Sequence, residues 1–253
     1  MTLAADGPGM QLAVRLPPLP AVAESPGRLL ERVAAAGFDG VVLAGLEAPH
    51  LPDVAAAIGE TGLDPAGAHV PLDRLQAERE AVVRELRTVG CERVIVPELH
   101  AAHFESDAEV ARMATRLSAM GGRLAADGRQ LCYHNHDREF QPIEGRDAYE
   151  LLVERSGEGL AFEFDAGWAA VAGRDPAGVL GTLAGRVPLV DVTPRVPDTG
   201  ERRLPGAGDL DLAAVVAAAG DAGAEWLVHV AEEPPLHDEE LAAAADVLGE
   251  APD

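Results

Sequence analysis

The chain has 253 residues, with 43 acidic against 20 basic side chains and a formal charge of −23. Every base is Arg; Lys is absent. This balance argues against nucleic acid as a partner, because phosphate binding needs a basic footprint, and no apolar run reaches the roughly 18 residues of a membrane span.

A chain of this length suits one α/β domain spanning residues 1–253, since no Ser/Gly-rich linker divides it. Residues 1–9 lack the basic start and apolar middle of a signal peptide, so a cytoplasmic location is expected. Cys91 and Cys132 read as buried free thiols, and no CxxC pair supports a thiolate zinc site. The acids are spread along the whole chain. Their mutual repulsion is strong in dilute buffer and screened in molar salt, which points to a salt-adapted, halophilic protein.

Residues 10–16 form the first predicted strand. Ser25 and Pro26 then give a helix cap and first turn, Leu29, Leu30, Val33 and Ala34 its apolar face, and Gly37 its end. Residues 38–43 are the second strand and 52–58 the next helix. Residues 65–70 are the third strand, followed by a periodic helix over 75–89 that ends at Gly90. Residues 93–99 are the fourth strand, and Ser106 caps a long helix to Ala126. Strands over 129–134, 160–165, 187–192 and 225–230 follow, with helices over 147–154, 176–184, 212–219 and 239–248. Alternating strand–helix units imply a parallel sheet, and eight of them imply a closed (β/α)8 TIM barrel. An open doubly wound sheet is the alternative, but no Gly-x-Gly-x-x-Gly follows a strand; Gly206-Ala207-Gly208 comes after a long loop.

Barrel chemistry sits at the C-terminal strand ends. There the chain reads Tyr133-His134-Asn135-His136-Asp137 and Phe164-Asp165-Ala166-Gly167-Trp168. Alternation along the strands turns Glu163 and Asp165 inward if Phe162 and Phe164 face the helices. It turns Asp191 and Thr193 inward opposite Val190 and Val192, and His229 inward if Trp226, Val228 and Val230 face out. If His134 points in, His136 follows it. His134, Glu163, Asp165, Asp191 and His229 then converge, and a divalent cation would relieve the repulsion among the acids. Mixed nitrogen and oxygen ligands suit Mn²⁺, Zn²⁺, Co²⁺ or Mg²⁺. Asp165 as a cap and His229 bonded to Asp191 without a metal are the structural alternatives.

The first of these motifs with Glu139-Phe140, the second with Ala172-Gly173-Arg174-Asp175-Pro176, and Arg202-Arg203-Leu204-Pro205-Gly206-Ala207-Gly208-Asp209 resemble the xylose isomerase-like TIM-barrel family. That group includes sugar phosphate isomerases/epimerases, keto-sugar epimerases and inosose dehydratases. The resemblance implies a metal site at His134, Asp165, Asp191 and His229. Asp191 stands where the family usually has His, and His229 where it has Glu. It further implies a metal-dependent isomerase or epimerase acting through an enediolate, with Glu163 and His229 as candidate acid/base groups. The expected ligand is a small sugar or sugar phosphate, touched by His69, His136, Trp168, Arg202 and Arg203. Glu47 and His50 are further candidates after the second strand. An inosose-type dehydratase and a non-catalytic sugar- or metal-binding member are the other readings the departures leave open. The alanine-rich outer helices could pack in a homo-oligomer.

Overall fold

The alternation of short apolar runs and amphipathic stretches folds as eight parallel strands closed into a barrel. The computed structural model describes residues 9–18, 24–46, 51–231 and 236–250. The strands are β1 (Gln11–Arg15), β2 (Gly40–Leu43), β3 (Asp64–His69), β4 (Arg93–Val96), β5 (Gln130–His134), β6 (Leu160–Asp165), β7 (Leu189–Asp191) and β8 (Trp226–Val230). Each pairs with its neighbour in sequence, and β1 pairs with β8 to close the ring. The expected barrel is thus the observed one. A short antiparallel ribbon, Pro142–Ile143 with Arg146–Asp147, sits apart from it.

Helices between the strands form the outer layer. Two starts carry the serine caps that the sequence marks, Ser25 Oγ accepting from the Arg28 amide at 3.5 Å and Ser106 Oγ from Glu109 at 3.3 Å; a third is capped by Asp211, whose Oδ1 accepts from Ala214 at 3.0 Å. Each such cap contributes about 1 kcal/mol. The periodic stretch over 75–89 is not one helix. It divides into Leu72–Ala77 and Arg79–Thr88, with Glu78 between them at φ −131°, ψ 29°. Arg74 spans the break, donating through Nη2 to both oxygens of Glu85 at 2.7 Å. No Gly or Pro marks that break. A six-residue helix, Ala166–Val171, follows β6 directly and was not expected.

The outward strand residues pack under the helices, as Val14, Val41, Ala68, Tyr133, Phe162, Phe164, Val190 and Leu227 do. The inward ones form a second apolar cluster that plugs the barrel: Ala13, Val42, Ala66, Ile95, Cys132, Ala161, Leu189, Trp226 and Val228. Trp226 and Val228 were expected to face the helices; they face the axis instead. The Trp226 ring is admitted by Gly40, where a Cβ would lie 2.7 Å from it. An apolar residue suits either side of a barrel strand, because both sides are core. Cys91 and Cys132 are buried and unbridged, and burial pushes the Cys91 thiol up to about 12. Among the described residues no helix is long and apolar enough to cross a membrane.

Candidate active site

Above the apolar plug the inward side chains become polar. β1 ends in Arg15, β3 in His69 and β5 in His134, while β6 contributes Glu163 and Asp165 and β7 Asp191; all six are buried. Arg15, His134, Glu163, Asp165 and Asp191 lie two or four positions beyond an inward residue of the plug, so strand alternation carries them to the axis; in β3 the register shifts, and His69 lies two beyond Gly67, which faces Ile95 and Leu189. Phe162 and Phe164 face outward as expected and stack on Tyr149, with ring centroids 5.7 and 6.2 Å apart.

Glu163 is the hub. Its Oε2 lies 2.8 Å from His69 Nε2 and 3.0 Å from His134 Nδ1, while its buried Oε1 has no hydrogen-bond partner among the described residues. Burial alone would push this carboxyl up, but the two imidazoles hold it well below the usual carboxylate range. His134 is held below the ordinary imidazole value by burial and then by Arg15, whose Nη1 is 3.4 Å from His134 Nε2. The Arg15 guanidinium also lies 3.9 Å from Glu163 Oε2 and 3.8 Å from Asp191 Oδ2. Arg195 reaches Asp165 Oδ2 at 3.1 Å and stacks 4.2 Å over the Trp168 ring. Burial, then the facing Asp191, raises the Asp165 carboxyl well above its ordinary value despite Arg195.

A second set of bonds fixes these groups. Asn135 bridges β5 to β6: its Nδ2 donates to the Asp165 carbonyl at 3.1 Å, and its Oδ1 accepts from the Asp165 amide at 2.9 Å. Asp165 Oδ1 caps the Ala166–Val171 helix through the Trp168 amide at 2.8 Å, the capping role weighed from sequence. Glu139 accepts from the His136 amide at 2.9 Å and from the Tyr133 hydroxyl. Thr193 receives the Val230 amide at 2.9 Å on its Oγ1 and gives its own amide to Asp191 Oδ1 at 2.9 Å.

A cavity of about 280 Å³ opens over this floor, lined by Arg15, His69, Pro97, Glu98, His134, His136, Trp168, Arg195 and Arg202. Of the residues singled out from sequence, His69, His134, His136, Trp168 and Arg202 therefore line one mouth, with Glu163, Asp165 and Asp191 around its base. His136 is neutral there, burial pushing it down to about 2. His229 is placed differently. It alternates with the inward Val228 and pairs in register with Val14, an outward residue. It lines a separate cleft of about 250 Å³ with Arg203, Leu236, His237 and Glu240, under the Asp238–Gly249 helix. The inward turn expected of His229 is thus corrected, for the reason that reversed Trp226 and Val228. Arg203 is exposed beside that cleft and donates to Glu201 at 3.1 Å. Arg202 lines both spaces. Glu47 and His50 lie outside the described residues.

Sequence reasoning missed Arg15 and Arg195. The signal for Arg15 was its position: a charged residue closing an otherwise apolar strand, two places beyond Ala13. Arg195 follows Pro194 in a loop, where no periodicity applies.

The expected ligands do not form one compact set. Among the described residues, the group of three or more possible donors within 4.8 Å of one another is His69, His134 and Glu163, which shares only His134 with the expected four. By spacing this group could hold a metal ion. By charge the position is already filled. Its imidazoles already lie at hydrogen-bond distance from the Glu163 carboxylate, and the Arg15 guanidinium lies within 4 Å of both His134 and Glu163. Like unit charges at that range repel by about 4 kcal/mol at an effective dielectric near 20, and a divalent ion doubles this. Arg15 thus competes with a divalent cation for His134 and Glu163, and the site as built favours the guanidinium.

The class defined by this fold is the closed parallel (β/α)8 barrel, an architecture it shares with the solved structure of a xylose isomerase domain protein from Alicyclobacillus acidocaldarius. No family model matches the chain, and no curated protein matches it by sequence. Solved structures do match. A sugar phosphate isomerase/epimerase from Parabacteroides distasonis superposes with a TM-score of 0.79 at 16% identity, covering 99% of this chain and 97% of that one. The 3-keto-D-glucoside 4-epimerase of E. coli gives 0.68 at 18% identity, covering 95% and 98%. A probable 3-DHS dehydratase from Bacillus anthracis gives 0.70 at 12% identity, covering 95% and 99%.

Proposed function

We propose that this chain is an isomerase or epimerase of a small polyhydroxy carbonyl compound, a sugar or sugar phosphate, and that it works through an enediolate. The observation that carries the reading is Glu163. One of its oxygens is hydrogen-bonded to His69 and lies 3.0 Å from His134, both lining the mouth, and the other is buried with no hydrogen-bond partner among the described residues. A carboxylate so held is oriented to take a proton from the carbon beside a carbonyl. On accepting it, the carboxyl can pass a proton to His69 or His134, both in contact. Arg195 and Arg202 supply donors for a hydroxyl or phosphate group, with Trp168 and His136 as walls. The isomerases and epimerases that share the fold favour the same class. His229, outside the mouth, takes no part in this step.

Asp165 favours a second reading. Burial and the facing Asp191 raise the proton affinity of this carboxyl, which suits it to donate to a leaving hydroxyl, as a dehydratase of an inositol-type ketone needs.

The test is proton exchange. Incubation with a broad panel of ketoses, aldoses and their phosphates in D₂O, followed by NMR, should show deuterium entering beside a carbonyl. Glu163→Gln should abolish it. A dione product without exchange into recovered substrate would favour the dehydratase. Neither outcome across the panel would end the enediolate reading.

A further inference from the structure

We infer that the Arg15 guanidinium, and not a divalent cation, supplies the positive charge at the centre of this mouth and holds the substrate oxygen on which negative charge develops. The second half rests on the enediolate chemistry proposed above; the first rests on geometry alone.

Arg15 closes β1, is only 4% exposed, and still lines the mouth cavity. Each inward carboxylate faces a guanidinium. Glu163 and Asp191 face Arg15 at 3.9 and 3.8 Å, and Asp165 faces Arg195 at 3.1 Å. The remaining donor, His134 Nε2, lies 3.4 Å from Arg15 Nη1. The atoms an ion would need are therefore gathered around fixed cations. A guanidinium does not lose its charge in proteins, and its planar fork offers several N–H donors at once. An ion could enter only by expelling Arg15 from a buried position into which the strand holds it. The same fork can serve an oxyanion. As the C–H bond breaks, its proton goes to Glu163. Its electron pair forms the C=C bond, and the carbonyl π pair moves onto oxygen, where the Arg15 N–H groups hold it. Return of the proton to the other face of the same carbon restores the carbonyl, and its delivery to the former carbonyl carbon forms a new one as the proton of the adjacent hydroxyl passes to the oxyanion. No oxidant or reductant enters.

Metal content and heat stability test the first half without any substrate. The purified chain should carry far less than one equivalent of Mn, Zn, Co or Mg by mass spectrometry. In concentrated KCl, where the surface charge is already screened, its melting temperature should be unmoved by EDTA or by a small excess of each ion. Arg15→Gln should gain binding of at least one of these ions, seen as a rise in melting temperature on addition. Near one equivalent in the natural chain, with destabilisation by EDTA, would overturn the inference. So would Arg15→Gln that folds and binds no ion. If Arg15→Gln does not fold, Arg15→Met, neutral and of similar length, replaces it, with the same two outcomes. For the second half, exchange in D₂O should withstand EDTA and fall by about 10²- to 10³-fold in Arg15→Gln. Exchange lost on EDTA treatment would overturn it. Absence of exchange in every protein would refute the enediolate reading and leave the metal result standing.

Discussion

Asn135→Ala removes the clamp between β5 and β6. The side chain is fully buried and makes two bonds to one residue, accepting from the Asp165 amide at 2.9 Å and donating to its carbonyl at 3.1 Å. These strands pair through His134 and Glu163 and no further, so Asn135 extends the ladder by one rung just where the active side chains begin. Alanine leaves a buried N–H and a buried C=O unpaired. Each unpaired group costs about 1–3 kcal/mol, so the loss should be about 2–6 kcal/mol. Urea unfolding reads it as a lower midpoint at unchanged slope. Amide exchange at Asp165 should quicken well beyond the change in global stability, because the lost bond is its own. Asn135→Asp is the sharper variant: it keeps the acceptor, loses the donor and adds a carboxylate beside Asp165. It should cost at least as much. A cost under about 0.5 kcal/mol for Asn135→Ala, the range of an ordinary surface change, would refute the reasoning.

Three further outcomes follow from the same structure. A Cβ on Gly121 would lie 1.7 Å from the Gly159 carbonyl oxygen, so Gly121→Ala must push two backbones apart and should cost about 3 kcal/mol or more. Its neighbour Gly122 meets nothing within 4 Å, and Gly122→Ala should instead stabilise by up to about 1 kcal/mol in the same thermal assay. Burial depresses His136 to about 2 and His229 to about 4 from an ordinary 6.5. Their contribution is present above 6.5 and is lost as pH falls toward the folded values, so the melting temperature should decline between pH 6.5 and 4. His229→Asn should flatten that decline, and an unchanged slope would count against a buried neutral imidazole there. Finally, the charge of −23 predicts that KCl raises the melting temperature steeply; equal stability in dilute buffer would remove the salt-adapted reading.

The barrel was legible because its signal is repetition. Eight apolar runs, each followed by an amphipathic stretch, admit few topologies, and local errors such as the break at Glu78 do not disturb the count. The mouth was legible where a polar residue interrupts an apolar run. Glu163 between Phe162 and Phe164 can face only one way, and Asp191 between Val190 and Val192 likewise. β8 lacked that contrast. Trp226, Leu227, Val228 and Val230 are apolar on both sides, so nothing in the run distinguishes axis from helix layer, and His229 was turned the wrong way with them. Arg15 was missed because a strand end next to a loop is an ordinary place for a surface Arg. Only the register with β8 and β2 shows that this end opens inward. Arg195 depends on a loop fold that no local pattern encodes.

The two tryptophans stand at opposite ends of one axis. Trp226 is sealed in the plug near the start of β8, and Trp168 lies half-buried at the mouth beneath Arg195. The chain therefore contains its own pair of optical probes. The inner indole registers the integrity of the barrel, whereas the outer one, with a guanidinium against its face, should change emission whenever a guest draws Arg195 away. Subtracting the signal of a Trp168→Phe variant would separate occupancy from unfolding, and would let candidate compounds be screened by fluorescence before any reaction is known.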